Sequence, residues 1–146
     1  MAGGSGNDLM FGEAGDDAID GGLGNDALVG NEGNDFLSGS DGNDFLYGEL
    51  GLDYLSGGFG SDTFVITSST PEPFAYDVIT DFSSSDRIII QQSRFGVVSK
   101  DQFTFASNFL YYDPVIADGI QPVVQLAYIL PPPVLGFSLN DNLIIS

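Results

Sequence analysis

The chain has 146 residues, with 21 acidic side chains against three basic ones and a formal net charge of −18. Such a surplus of negative charge excludes nucleic acid and anionic membrane surfaces as partners. Histidine and cysteine are both absent, which removes disulfides, thiolate metal sites and the usual nucleophile–base pairs, so catalysis within this chain is not expected.

Met1-Ala2 leads straight into a repeat, with no basic leader, no apolar signal core and no run long enough to span a membrane. The abrupt start reads as the end of a piece taken from a longer chain. From Gly3 to Val65 a nine-residue unit recurs seven times: GGSGNDLMF, GEAGDDAID, GGLGNDALV, GNEGNDFLS, GSDGNDFLY, GELGLDYLS and GGFGSDTFV. Positions one and four are glycine in every copy, position six is aspartate, and position eight is large and apolar. A fixed period of this kind predicts a repeat architecture.

Each constrained position has a physical reason. Regular glycines mark positive φ, or places too crowded for a Cβ. Six residues of turn and three of strand would point positions seven and nine outward and position eight inward. Two units then make one flattened coil of 18 residues, and coils stack as parallel strands roughly 4.8 Å apart. The predicted fold is all-β: a parallel β-roll over residues 3–66, with a β-rich cap over 67–146.

Stacking brings the aspartates of repeats i and i+2 together on one edge. Two carboxylates about 5 Å apart repel by roughly 3 kcal/mol at an effective dielectric near 20. Thirteen of the acids and none of the bases lie in the repeats, so the relief must come from outside the chain. Carboxylates with turn carbonyls form an all-oxygen site that suits Ca²⁺ better than Mg²⁺ or Zn²⁺. The expected metal-ligating side chains are Asp8, Asp17, Asp26, Asp35, Asp44, Asp53 and Asp62. The expected carbonyl ligands are Gly12, Gly21, Gly30, Gly39, Gly48 and Gly57 at position one, and Gly4 and Gly22 at position two. Position four adds Gly6, Gly15, Gly24, Gly33, Gly42, Gly51 and Gly60. Five rungs follow: Asp8/Asp26, Asp26/Asp44 and Asp44/Asp62 on one edge, Asp17/Asp35 and Asp35/Asp53 on the other. Five ions are expected, each inner aspartate serving two of them, one through each oxygen.

The unit GGxGxDxUx resembles the calcium-binding repeats-in-toxin (RTX) nonapeptide. The copies depart from it at position two, which is Gly only in the first, third and seventh, and at position five, where Leu52 and Ser61 replace Asn or Asp. The resemblance implies a secreted, extracellular module that folds on calcium, stabilises an attached upstream passenger and leaves the cell through a type I secretion apparatus. Any catalytic domain would then lie upstream.

After Val65 the period stops; 17 of 20 glycines precede this point and all seven prolines follow it. Ser68–Pro73 reads as a loop. Asp77–Phe82 and Asp86–Ile90 read as two strands, and they resemble the segment that closes RTX rolls. This makes Asp77, Asp81 and Asp86 candidates for one further cation site, or else turn and cap residues. Further strands are expected at Phe103–Phe105, Leu110–Tyr112 and Val123–Leu130. The terminal Asp141–Ser146 resembles an uncleaved export signal, and Pro131–Pro133 interrupts any ladder there.

An adhesin or polysaccharide-binding module is the alternative function, and it should show an exposed aromatic or cationic groove. Finally, the odd repeats carry apolar residues at outward positions (Leu9/Phe11, Ala27/Val29, Phe45/Tyr47, Thr63/Val65). The even repeats place Asp20, Ser38 and Ser56 at position nine. An apolar face of that size predicts burial by the C-terminal segment or by self-association.

Overall fold

The computed structural model describes residues 1–67, 76–91, 103–106, 109–112, 124–129 and 142–145. Eight strands cover the repeats: β1 (Ala2–Ser5), β2 (Leu9–Ala14), β3 (Ala18–Leu23), β4 (Ala27–Glu32), β5 (Phe36–Asp41), β6 (Phe45–Leu50), β7 (Tyr54–Phe59) and β8 (Thr63–Ile66). Six follow: β9 (Asp77–Ile79), β10 (Arg87–Ile90), β11 (Phe103–Ala106), β12 (Phe109–Tyr112), β13 (Val124–Ile129) and β14 (Leu143–Ile145). Odd repeats supply one sheet, ordered β14-β10-β8-β6-β4-β2, and even repeats the other, β1-β3-β5-β7-β9-β13-β12-β11. Strands of the roll pair in parallel at an 18-residue offset, as Leu28 on Leu46 and Leu37 on Leu55 show. The chain is thus the expected parallel β-solenoid.

Position eight builds the interior. Met10, Leu28, Leu46 and Phe64 form one inner column and Ile19, Leu37 and Leu55 the other, all buried. Burial of a Leu or Ile side chain contributes about 1.5–3 kcal/mol. The nonapeptide spacing ends at Ile66, but the roll does not. Ile79 pairs with Leu55 and Ile88 with Phe64, which extends both inner columns, and Ile129 and Leu143 continue them. β11, β12 and β13 close one sheet as an antiparallel meander.

The strand length differs from expectation. Each full strand has six residues, not three, because positions two and three also pair with the next coil, as Glu13 on Asn31 and Ala14 on Glu32 do. The register skips position one, and position two turns left-handed even where it is not glycine (Glu13, Asn31, Ser40 and Glu49, φ 75 to 79°). The true turn is positions four to six.

Within a single chain, the described residues do not cover the odd-repeat face along its length; burial against a second copy is a separate proposal. Phe11 is 46% exposed and Phe45 43%, while Thr63 and Val65 are buried. Asp20 is exposed as Phe11 is, and Ser38 and Ser56 are half-buried like Val29 and Tyr47. The expected odd–even contrast in accessibility is therefore absent over the first coils. The physical reason is topological: β9 and β13 add to the even sheet, β10 and β14 to the odd sheet, and they lengthen the sheets edgewise rather than lie across them. Ser68–Pro73, Pro131–Pro133, Asp141 and Ser146 lie outside the described residues.

Candidate metal centre

The position-six aspartates form two columns, one on each edge of the roll. On the first edge the Asp8 N–H donates to Asp26 Oδ1 (2.7 Å), Asp26 to Asp44 (2.7 Å) and Asp44 to Asp62 (3.0 Å). On the second, Asp17 donates to Asp35 and Asp35 to Asp53, both at 2.8 Å. One oxygen of each inner aspartate therefore accepts the backbone of the preceding coil. The two oxygens thus differ in their surroundings: a parallel stack needs an acceptor for each position-six N–H, and Oδ1 supplies it.

The other oxygen is left without a partner. Oδ2 of Asp8, Asp26, Asp35, Asp44 and Asp53 is buried and makes no hydrogen bond. A buried polar atom of this kind costs about 1–3 kcal/mol, more when charged. Desolvation accordingly pushes the Asp35 and Asp44 carboxyls up from the ordinary carboxylate range, and those of Asp53 and Asp62 to about 6, against the lowering effect of the backbone hydrogen bonds.

The invariant glycines shape the space around that oxygen. A methyl group on Gly3 would stand 2.6 Å from Asp8 Oδ2 and 2.7 Å from the Gly21 carbonyl oxygen of the next coil. The same convergence recurs at Gly12, Gly21, Gly30 and Gly39, where the carbonyls of Gly30, Gly39, Gly48 and Gly57 meet Oδ2 of Asp17, Asp26, Asp35 and Asp44. Position one is glycine because two oxygens occupy the place of its side chain. Position four has a second reason. Gly24 sits at φ +123°, and a methyl there would overlap the carbonyl oxygen of Gly6 in the coil before. Gly15, Gly33, Gly42, Gly51 and Gly60 repeat this conformation, and Gly4 and Gly22 share it at position two.

Each gap between coils is thus lined by a carboxylate oxygen and glycine carbonyls. Five gaps, one per expected rung, have Oδ2 and a position-one carbonyl in convergence. No group of three or more acidic side chains gathers among the described residues, as expected where backbone carbonyls fill most of a shell. Such a site fits a hard cation with oxygen ligands, and Ca²⁺ above Mg²⁺ because carbonyl-rich geometry is irregular. Asp8, Asp17, Asp26, Asp35 and Asp44 would hold it through Oδ2.

The three acids beyond the repeats separate. Asp77 and Asp86 continue the two columns: Val78 N–H donates to the Asp53 carbonyl and Arg87 N–H to that of Asp62, as strand starts do throughout the roll. Their spacing from the previous member is 24 residues, which hides them from the nonapeptide register. The signal is Asp followed two places on by a large apolar residue (Asp77/Ile79, Asp86/Ile88), as in every repeat. Asp77 is buried, and that burial, with the Asp53 charge beside it, raises its carboxyl well above the usual range. Asp86, however, has both oxygens taken, Oδ1 by Asp62 N–H (2.9 Å) and Oδ2 by Ser83 N–H (2.6 Å). Asp81 accepts from Ser56 Oγ (2.7 Å), Gly57 N–H (3.0 Å) and Gly58 N–H (2.8 Å). The three acids are not one site; Asp81 and Asp86 act as caps on β7 and on the first column.

Sequence reasoning missed the role of position five. Asn7 Oδ1 accepts Asn25 N–H, Asn25 accepts Asn43, and Asn43 accepts Ser61 (2.8–2.9 Å). On the other edge Asp16 accepts Asn34 (2.8 Å) and Asn34 accepts Leu52 (3.0 Å). The side chain at position five serves the coil that follows. Leu52 and Ser61 stand in the last two repeats, where no nonapeptide turn follows, so the acceptor is not required there.

The family model for the RTX calcium-binding nonapeptide repeat matches residues 1–28 and 29–64. Among solved structures, the AlgE6R3 subunit from the Azotobacter vinelandii mannuronan C5-epimerase is similar at 28% identity and a TM-score of 0.54, over 90% of this chain and 78% of that one. No curated protein matches the sequence. Among the described residues no helix is long and apolar enough to cross a membrane. With seven copies in register and a two-sheeted parallel solenoid built from them, residues 1–64 are RTX calcium-binding repeats folded as a β-roll.

Proposed function

We propose that this chain is a calcium-dependent folding module which orders outside the cell, stabilises an attached protein and assists its type I export. The observation that carries the reading is the set of five buried, unpartnered Oδ2 atoms stacked along the two turn edges. Calcium supplies coordination where the metal-free chain has only repulsion and unmet polar atoms. Without it, a glycine-rich block with 13 acids and no base has the composition of a disordered chain. Binding free energy then becomes folding free energy.

The chain's own residues do the rest. Oδ1 and the position-five amides set the register between coils, position-one glycines keep the gap open, and the position-eight columns collapse once the turns are drawn together. Folding is expected at roughly 0.1–1 mM Ca²⁺, the range of extracellular modules, which keeps the chain unfolded in the cytosol and lets it fold after export. A far-UV circular dichroism titration tests this. The expected result is a disordered spectrum in chelator and a cooperative gain of β-signal with calcium; a β-spectrum unchanged by excess EGTA would overturn it.

A further inference from the structure

The outer face of the even sheet has a ridge and a trough that calcium binding does not use. Position seven supplies the ridge: Phe36 and Tyr54, on neighbouring strands, stack with centroids 4.9 Å apart and planes 8° from parallel. Position nine supplies the floor of the trough, where Asp20, Ser38 and Ser56 stand one strand apart. The trough has a volume of about 580 Å³, and Phe36 is 58% exposed in its wall. Its polar groups are already engaged within the chain. Ser56 Oγ donates to Asp81 Oδ2 (2.7 Å), and Ser40 Oγ donates to Asp20 Oδ1 (2.8 Å) and lies 3.2 Å from Ser38 Oγ. The Met1 ammonium donates to the Ala18 carbonyl. Such a trough takes apolar surface rather than a ligand in search of hydrogen bonds.

Two packed sheets lie about 10 Å apart with their side chains interdigitated, so a ring on one sheet needs a small residue opposite. This face carries both, one row apart. A two-fold axis running across the strands, above the inward row of Ile19, Leu37 and Leu55, lays position seven of each copy on position nine of the other. Phe36 then faces Ser38 of the second copy and Tyr54 faces its Ser56, and symmetry repeats both pairs. Charge favours the same face. Each copy carries −18, and the odd face sets Glu13, Glu32 and Glu49 beside its apolar rungs. The even trough holds one acid, Asp20, which Ser40 already engages. The contact covers about 20 Å of strand by about 20 Å of sheet, roughly 400 Å² per copy and half of what a standard interface buries per partner. Association is therefore weak and reversible.

We propose that the folded chain forms a reversible two-fold dimer through this face, the Phe36–Tyr54 ridge of each copy seated in the position-nine trough of the other. Sedimentation equilibrium of the whole calcium-saturated chain tests it, with circular dichroism reading the fold of each variant. The expected result is a mass that rises from one chain toward two between roughly 1 µM and 1 mM, the range of a small transient interface. Phe36→Ala removes the ridge and Ser38→Phe fills the trough; each should weaken association at least about tenfold, as for a central aromatic anchor. Ser38→Phe adds a ring at an outward strand position and keeps the test open if Phe36→Ala does not fold. Phe36→Ser combined with Ser38→Phe in one chain should restore the dimer, because the two-fold again lays ring on serine; a merely structural role for Phe36 gives no such rescue. Phe45→Ala reads the alternative of association through the odd face and should change nothing. A monomer at every concentration, association untouched by Ser38→Phe, absence of rescue in the exchanged pair, or loss in Phe45→Ala would each overturn the proposal.

Discussion

The repeat block and the two strands that follow it solve one problem by different means. In both, an aspartate starts each strand, its Oδ1 or its carboxyl accepts the N–H of the aspartate one coil earlier, and an aliphatic residue two places on enters the core. Inside the repeats, the second carboxylate oxygen of Asp8, Asp26, Asp35, Asp44 and Asp53 stays unpartnered. At Asp86 it accepts Ser83 N–H, and at Asp81 both oxygens are saturated by β7. Asp77 to Asp86 is also nine residues, but position four is Ser84 where every repeat has glycine, and Ser83 to Asp86 close a local turn (Asp86 N–H to the Ser83 carbonyl, 3.2 Å) that supplies the donor. A repeat without that turn depends on an external cation for its second oxygen.

The sharpest way to break this contrast is to remove one carboxylate from each kind of site. Asp44→Asn should abolish the rung that Asp44 Oδ2 supplies and raise the calcium midpoint of folding by tenfold or more, since an inner aspartate also joins two coils. Asp81→Asn should leave the midpoint within about twofold and instead lower stability in saturating calcium by about 0.5–1.5 kcal/mol, the cost of weakened part-buried hydrogen bonds. Calcium titrations followed by circular dichroism, then urea melts at fixed calcium, separate the two.

Gly39→Ala comes next. Its methyl would meet Asp44 Oδ2 and the Gly57 carbonyl at 2.6 Å, so the gap must open. Overpacking of this kind costs about 1–3 kcal/mol, and the loss should appear mainly as weaker calcium binding. An equal loss for Gly119→Ala, a glycine outside the repeats, would remove the steric explanation.

Acid offers a third probe, in chelator. Asp53 and Asp62 bind their protons more tightly folded than unfolded, with folded values of about 6 against an ordinary value of 3.8. Asp35, Asp44 and Asp77 shift the same way. From Asp53 and Asp62, metal-free stability therefore falls as pH rises from about 4 to about 6, by about 1.4 kcal/mol per pH unit for each of the two, and their contribution is flat above that. The metal-free chain should gain structure as pH drops from 7 to 5. Calcium-bound chain should lose it over the same range, because protons compete for the carboxylates. Parallel acid titrations with and without calcium read the opposite slopes directly.

How much of this was legible beforehand varies with the interaction. Period nine displayed the solenoid, the inward Leu28 and Leu46, and the partnership of aspartates 18 residues apart, because each copy restates the same contacts. The asymmetry of Oδ1 and Oδ2 was not legible, since one carboxylate letter stands for two oxygens with different neighbours. Nor was the reason for glycine: Gly3 is small because Asp8 crowds it, whereas Glu13 adopts a positive φ with no glycine at all. Asp77 and Asp86 escaped the register because a change of loop length shifts the spacing without changing the rung. The apolar odd face did not announce its cover: within one chain Phe11 and Phe45 stay exposed, and such residues suit a strand whether the cover is absent or is a second copy.

The smallest expected effects lie at position five. Asn43→Ala removes the acceptor for Ser61 N–H and should cost about 1 kcal/mol. Leu52→Asn should change stability by less than about 0.5 kcal/mol, because no nonapeptide turn follows for it to serve. Equal costs for the two would refute the one-directional ladder.

The central claim is that cations occupy the five gaps where Oδ2 and a position-one glycine carbonyl converge, and anomalous scattering from a calcium-saturated crystal tests it most directly. The account predicts five peaks in two lines along the turn edges, at about 2.3–2.6 Å from Oδ2 of Asp8, Asp17, Asp26, Asp35 and Asp44, and none between Asp81 and Asp86. Peaks lying away from those oxygens, or turn edges empty in saturating calcium, would contradict it.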